Sequence, residues 1–208
     1  MHQLDRKLTG KLPVIGAEHQ PRVQGPDPSI ILRLANHSTA DLSDLVGRLY
    51  TMTPEIRPLY TGCPRMAGTA VTVRTARGDN QAVKDAVANI QAGDVLVIDA
   101  QGFTGWCSGG YGMLRAATSE GKLAGVIVNG AYRDIAEFER AGLPLYGIAT
   151  SPATGPKLGP GQINVAVSCG NVIINPGDVI IADAEGVVVV PLSQSEVIAA
   201  VADEKRAS

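Results

Sequence analysis

Between Trp106 and Pro152 the chain carries its residues best suited to chemistry. They are a glycine-rich loop (Gly109, Gly110, Gly112), an apolar run from Val126 to Val128, and the adjacent pair Arg133–Asp134. A glycine loop that opens a helix presents backbone N–H groups without side chains in the way. The helix dipole then favours negative charge at that point. Here the presenting amides are those of Tyr111, Gly112, Met113 and Leu114. Arg133 offers a fixed cation that grips a carboxylate bidentately, and Asp134 offers a hard oxygen ligand for a divalent cation. The combination suits a small carboxylate held beside a metal ion.

Each residue also has a plainer role open to it. The glycines can serve a tight turn before a helix. Asp134-Ile-Ala-Glu137 has the form of a capping box, with Gly142 placed as a C-cap, so Asp134 can be an N-cap. Arg133 is harder to explain that way, because a cation just before a helix N-terminus opposes the dipole and calls for an anion. Asp99 follows a buried strand and either faces a ligand crevice or caps a turn. His37 can act as a base, but as a residue beside a helix cap it is expected in water. Asp79 or Asn80 is expected to cap the helix that follows.

The elements that must position these groups are legible in the apolar spacing. Ser38 or Thr39 caps a helix whose stripe is Leu42, Leu45, Val46 and Leu49. Residues 68–76 read as a strand, 81–90 as a helix with Val83, Ala86, Val87 and Ile90 on one face, and 95–98 as a buried strand. After the glycine loop come a helix, the strand at Val126–Val128, a strand-to-helix turn at Asn129–Gly130, and a second helix. The remainder is short β-rich runs closed by a helix opened by Ser193 and Glu196. This is one mixed α/β domain over residues 30–208, preceded by a proline-rich extended arm over 1–29, either loose or laid on a neighbouring subunit.

Composition narrows the function classes. The 208 residues carry a net charge of -2, which argues against a nucleic-acid surface. No apolar run approaches the ~20 residues that span a bilayer. Cys63, Cys107 and Cys169 are widely spaced and odd in number, which suggests neither a disulfide framework nor a zinc site and fits a cytoplasmic protein. No dinucleotide fingerprint, phosphate loop or serine-hydrolase elbow is present.

Taken together, ADLSDLVGRL, GTAVTVRTARGDN, AGDVLVIDAQG, GYGMLRAATSEGKLAGVIVNGAYRD and INVAVSCGNVIINPGDVIIADAEGVVVVP, in that order, resemble the RraA-like family. That family includes the 4-hydroxy-4-methyl-2-oxoglutarate / 4-carboxy-4-hydroxy-2-oxoadipate aldolases and the regulator of ribonuclease activity A. The resemblance implies a β/β/α swivelling-domain fold with mixed sheets and flanking helices. It also implies a homotrimer or hexamer with sites between subunits, and a Mg²⁺- or Mn²⁺-dependent lyase acting on a 2-oxo acid through a pyruvate enolate. In that scheme the amides of Tyr111 to Leu114 and Arg133 bind the substrate, and Asp134 anchors the metal. Asp183 or Glu185 reaches a neighbour's site. Oxaloacetate decarboxylation uses the same enolate. The resemblance leaves two alternatives: a binding protein of the ribonuclease-regulator type, or a lyase or isomerase for another 2-oxo or sugar acid. One position departs from the aldolases. Their acid within the glycine loop falls here on Gly112, so retro-aldol cleavage, which needs a base for the substrate hydroxyl, is expected to suffer more than decarboxylation.

Overall fold

The computed structural model describes residues 17–207. In chain order the elements are β1 (Glu18–His19), α1 (Pro28–Ala35), α2 (Thr39–Val46), β2 (Arg57–Pro58), β3 (Met66–Thr75), α3 (Gln81–Val87), β4 (Asp94–Phe103), α4 (Tyr111–Ser119), β5 (Leu123–Tyr132) and α5 (Ile135–Ala141). They continue with β6 (Leu145–Thr150), β7 (Gly161–Ile163), β8 (Val167–Cys169), β9 (Val172–Ile174), β10 (Val179–Asp183), β11 (Gly186–Val190) and α6 (Ser195–Ala207).

Strands β3, β4, β5 and β6 run parallel at the centre of the sheet, and their near-continuous apolar sequence follows from burial on both faces. Because side chains alternate along a strand, Val71, Val73, Leu96 and Ile98 pack under α3, α4 and α5. Ala70, Val95 and Val97 face the opposite core, with the β8–β9 hairpin. β3 is long enough to pair antiparallel with β10 along its first half and with β7 along its last. That ties the strand-rich C-terminal half into the same sheet. Helices α1, α2 and α6 cover the β10–β11 ribbon through a third cluster around Leu34, Leu42, Ile181 and Val188. The result is the mixed α/β domain expected.

Several local expectations change. Residues 1–16 of the expected arm lie outside the described residues. Residues 18–19 pair with β7 of the same chain, and Arg22 donates two hydrogen bonds, at 2.7 and 2.6 Å, to the buried Asp94 carboxylate. Helix α1 begins within the arm, because Asp27 caps it through Ser29 N–H and Pro28 takes its first turn. Ser38 caps α2 as expected, but Gly47, at φ 78°, ends it before Leu49, which is 83% exposed. β5 does not stop at Val128. Gly130 lies inside it, where a Cβ would come within 2.8 Å of Ala100 Cβ and Phe103 O, so Asn129–Gly130 is strand rather than turn. The pairing shifts register between Asp99 and Phe103, and both strands run on toward the glycine loop.

Candidate active site

Arg133 and Asp134 emerge directly from the end of β5, and Arg133 forms a β-bridge with Gly110, the residue before α4. That bridge brings the glycine loop and the Arg–Asp pair together. Gly110 must lack a side chain, since a Cβ there would lie 2.8 Å from Arg133 Cγ and collide with the Asp134 carboxylate. Asp134 sits in the left-handed region (φ 62°, ψ 39°), which among residues with a Cβ is favoured chiefly by Asn and Asp. Its side chain makes no capping hydrogen bond, so the capping-box expectation is not met. Gly142 does cap the far end of α5 at φ 61°. An aspartate whose carboxylate caps nothing, lines the cleft and stands 3.8 Å from Arg133 Nε marks the site.

The cleft has a volume of about 420 Å³ and is lined by Asn80, Lys84, Gly110, Gly112, Arg133, Asp134 and Lys157, among others. Met113 also lines it, and its N–H donates to Gly110 O at 3.1 Å, closing the first turn of α4. Tyr111 and Leu114 turn inward. Tyr111 packs edge-on against Phe138 with ring centroids 5.4 Å apart and Leu114 is fully buried, and neither is among the residues that line the cleft. The start of α4 has no side-chain cap and no acid in its first turn; Met113 N–H is taken by Gly110 O, which leaves the amides of Tyr111 and Gly112 to an external anion. Arg133 Nε stands 3.8 Å from Asp134 Oδ1, Arg133 Nη1 donates to Pro152 O at 3.4 Å, and Nε itself has no hydrogen-bond partner.

Four lining residues were not picked out for this role in the sequence. Asp79 does the capping expected of Asp79 or Asn80: its carboxylate accepts from the N–H groups of Gln81, Leu158 and Gly159. Asn80, 1% exposed, is thereby freed. Its Nδ2 donates to Thr154 Oγ1 at 3.4 Å, and its buried Oδ1 has no partner. Lys84 lies one helical turn on, an i, i+4 spacing that could have paired it with Asn80 in the sequence. Thr154 and Lys157 come from the loop after β6 and carry no local signal. Arg133, Lys84 and Lys157 against Asp134 leave the cleft positive, which suits a polyanionic ligand.

Other sequence candidates are placed elsewhere. Asp99 accepts from Gln101 N–H at 2.9 Å and serves its turn, the second of its two expected roles. His37 is not in water: it is 4% exposed and bonded to Asp203 at 2.8 Å. Asp183 accepts from Thr39 N–H at 2.9 Å and Thr39 Oγ1 at 2.6 Å, while Glu185 is exposed in the β10–β11 turn. Cys107 and Cys169 are buried and Cys63 is half-buried, all free, and burial pushes the thiols of Cys63 and Cys169 up. Tyr132 is fully buried, and desolvation raises its phenol far enough that it stays protonated.

Among the described residues no cluster of three or more His, Cys, Asp or Glu is arranged around a metal position. Asp134 is the one carboxylate lining the cleft. A single uncapped carboxylate in an open, polar cleft fits a hard cation that keeps most of its waters, which describes Mg²⁺ and Mn²⁺.

The mixed sheet, parallel at its centre, brings the glycine loop and the Arg–Asp pair together at its strand ends. Residues 39–189 match the RraA-like family model (Aldolase/RraA), and the chain belongs to the RraA-like family. A protein of Halalkalibacterium halodurans named "Putative 4-hydroxy-4-methyl-2-oxoglutarate aldolase" is 40% identical over 169 residues, covering 81% of this chain and 80% of that one. The RNA-processing inhibitor RraA of Thermus thermophilis shares 30% identity at a TM-score of 0.67 over 74% of this chain and 93% of that one. Streptomyces coelicolor RraAS2, described as an unusual member of the RNase ES inhibitor RraA family, shares 27% identity at a TM-score of 0.75, with 88% and 94% covered.

Proposed function

We propose that the cleft binds a small 2-oxo acid and breaks the carbon–carbon bond that leaves a pyruvate enolate, with Mg²⁺ or Mn²⁺ anchored at Asp134. The single observation that carries this is Asp134: left-handed at the start of α5, with a carboxylate that caps nothing and is set against Gly110 beside Arg133. The relatives named as aldolases support the same class of reaction. When bound, the cation supplies Lewis-acid stabilisation of charge on the 2-oxo oxygen. The substrate's carboxylate is held by the uncapped amides at Tyr111 and Gly112 and by Arg133. Arg133 also adds fixed positive charge where the enolate develops. Asn80 lines the cleft, and its buried, unpartnered Oδ1 receives a hydrogen bond from a substrate hydroxyl or a bound water. Lys84 and Lys157 draw in the rest of a multiply charged acid.

Gly112 brings no acid to the loop, so decarboxylation of oxaloacetate is expected to outpace retro-aldol cleavage of a 4-hydroxy-2-oxo acid, which needs a base. The working assembly is a trimer or hexamer that completes the site at a subunit boundary. The half-exposed Trp106 and the exposed Leu158, flanking the cleft loops, support such a contact. A regulator that acts by binding is the second possibility, favoured by the solved RraA inhibitor structures. The cleft's unpartnered polar atoms weigh against it, because a surface binder has no use for them. Pyruvate release from both substrates with Mg²⁺ or Mn²⁺ tests the choice. The enzyme reading expects turnover that EDTA abolishes and the metal restores; no pyruvate from any 2-oxo acid at any metal concentration sinks it.

A further inference from the structure

Tyr132 immediately precedes Arg133–Asp134, and its side chain is completely buried. Its ring is well accommodated: it meets Phe138 edge-on at 5.7 Å, and Phe138 meets Tyr111 edge-on at 5.4 Å. Three aromatic rings thus join the end of β5, helix α5 and the first residue of α4. The phenol oxygen is not accommodated, since it has no hydrogen-bond partner. It is directed at the glycine loop and lies 2.6 Å from where a Cβ on Gly109 would sit. Phenylalanine would keep every ring contact and remove an unsatisfied buried hydroxyl, so packing alone gives no reason for tyrosine here.

We infer that Tyr132 is a positioning residue whose hydroxyl donates to the backbone of the Ser108–Gly110 loop when that loop closes on a bound carboxylate. The donor is unpaired in the free protein and becomes paired when the anion draws the loop amides toward it. Ligand binding then carries the gain of one buried hydrogen bond, made two residues from the anion cradle. The hydroxyl touches neither substrate nor metal and acts only through Gly109 and Gly110. The proposal rests on the carboxylate-binding reading of the cleft and adds the residue that sets the loop's closed position.

The test compares the wild-type protein with Tyr132→Phe. Oxalate, a planar mimic of a 2-oxo acid enolate, is titrated calorimetrically in the presence of saturating Mn²⁺. Mn²⁺ affinity without oxalate and the thermal midpoint are measured alongside. Tyr132→Phe is expected to bind oxalate about tenfold more weakly, the worth of one hydrogen bond. Its Mn²⁺ affinity should be unchanged and its midpoint equal to or above that of the wild type. Unaltered oxalate affinity overturns the inference while leaving the carboxylate site standing. Weaker oxalate binding with a midpoint several degrees lower also overturns it, because the hydroxyl would then be serving the fold. If the wild-type protein itself binds no oxalate, the site reading falls and this inference with it.

Discussion

Where α1, α2 and α6 meet the β10–β11 ribbon, Asp183 is bonded to Thr39, and Asp203 is bonded to both His37 and Arg33. At the end of β5 the pattern reverses. Arg133 Nε, Asn80 Oδ1 and the Tyr132 hydroxyl are buried without hydrogen-bond partners, Arg133 Nε having only the Asp134 carboxylate at 3.8 Å, and Asp134 declines the cap its position offers. Both regions are polar and hold sequence candidates of similar appeal: a histidine and acids in one, an Arg–Asp pair in the other. The difference is in satisfaction. A polar group that folding has already paired is part of the scaffold, whereas unpaired groups in and directly behind one cleft anticipate a ligand. Asp79 and Asp134 make the same contrast at the starts of α3 and α5, one fully engaged with backbone amides and the other facing only Arg133 at 3.8 Å.

Breaking the unpaired side should cost function and spare the fold. Arg133→Ala is expected to lower pyruvate formation by at least ~10²-fold, as loss of a charge-stabilising group does. Its thermal midpoint should stay near that of the wild type, because Arg133 makes one long hydrogen bond and is partly exposed. A midpoint that collapses together with activity would erase the distinction between the two regions.

Breaking the paired side should do the reverse. Asp183→Asn should cost about 1–3 kcal/mol of stability at pH 7, as loss of charge-assisted bonds to Thr39 does. Burial pushes the Asp183 carboxyl up, but the hydroxyl and amide of Thr39 outweigh it and hold the carboxyl below its ordinary value. A carboxylate depressed on folding stabilises fully above its unfolded value of about 4 and loses that contribution as pH falls through the lower folded value. Denaturation curves of the two proteins should therefore converge on acidification below about pH 4. Curves that stay parallel into acid would mean the Asp183 charge was never the source.

Much of this was legible in the residues. Apolar spacing located the central strands and α2, and the Arg–Asp pair stood out because a cation before a helix start needs an anion. What escaped was fixed by contacts between distant segments. Pro28 opens a helix only because Asp27 caps it, and His37 is buried only because Asp203, 166 residues away, meets it. Asn129–Gly130 resembles a turn until the β4 irregularity holds Gly130 against Ala100 and Phe103. Asn80 had the right type for an N-cap, and its release into the cleft depended on Asp79 being engaged by a loop some eighty residues on. Lys157 came to the site by the same loop, with nothing local to announce it.

The central claim is that this cleft forms a pyruvate enolate, whatever the second half of the natural substrate. Exchange of the pyruvate methyl protons with deuterium from D₂O, followed by proton NMR, measures that event without any need to identify the substrate. The account predicts exchange with the wild-type protein and Mg²⁺ or Mn²⁺, stopped by EDTA and absent with Arg133→Ala. A folded wild-type protein that binds metal and pyruvate yet leaves the methyl signal unchanged would contradict it.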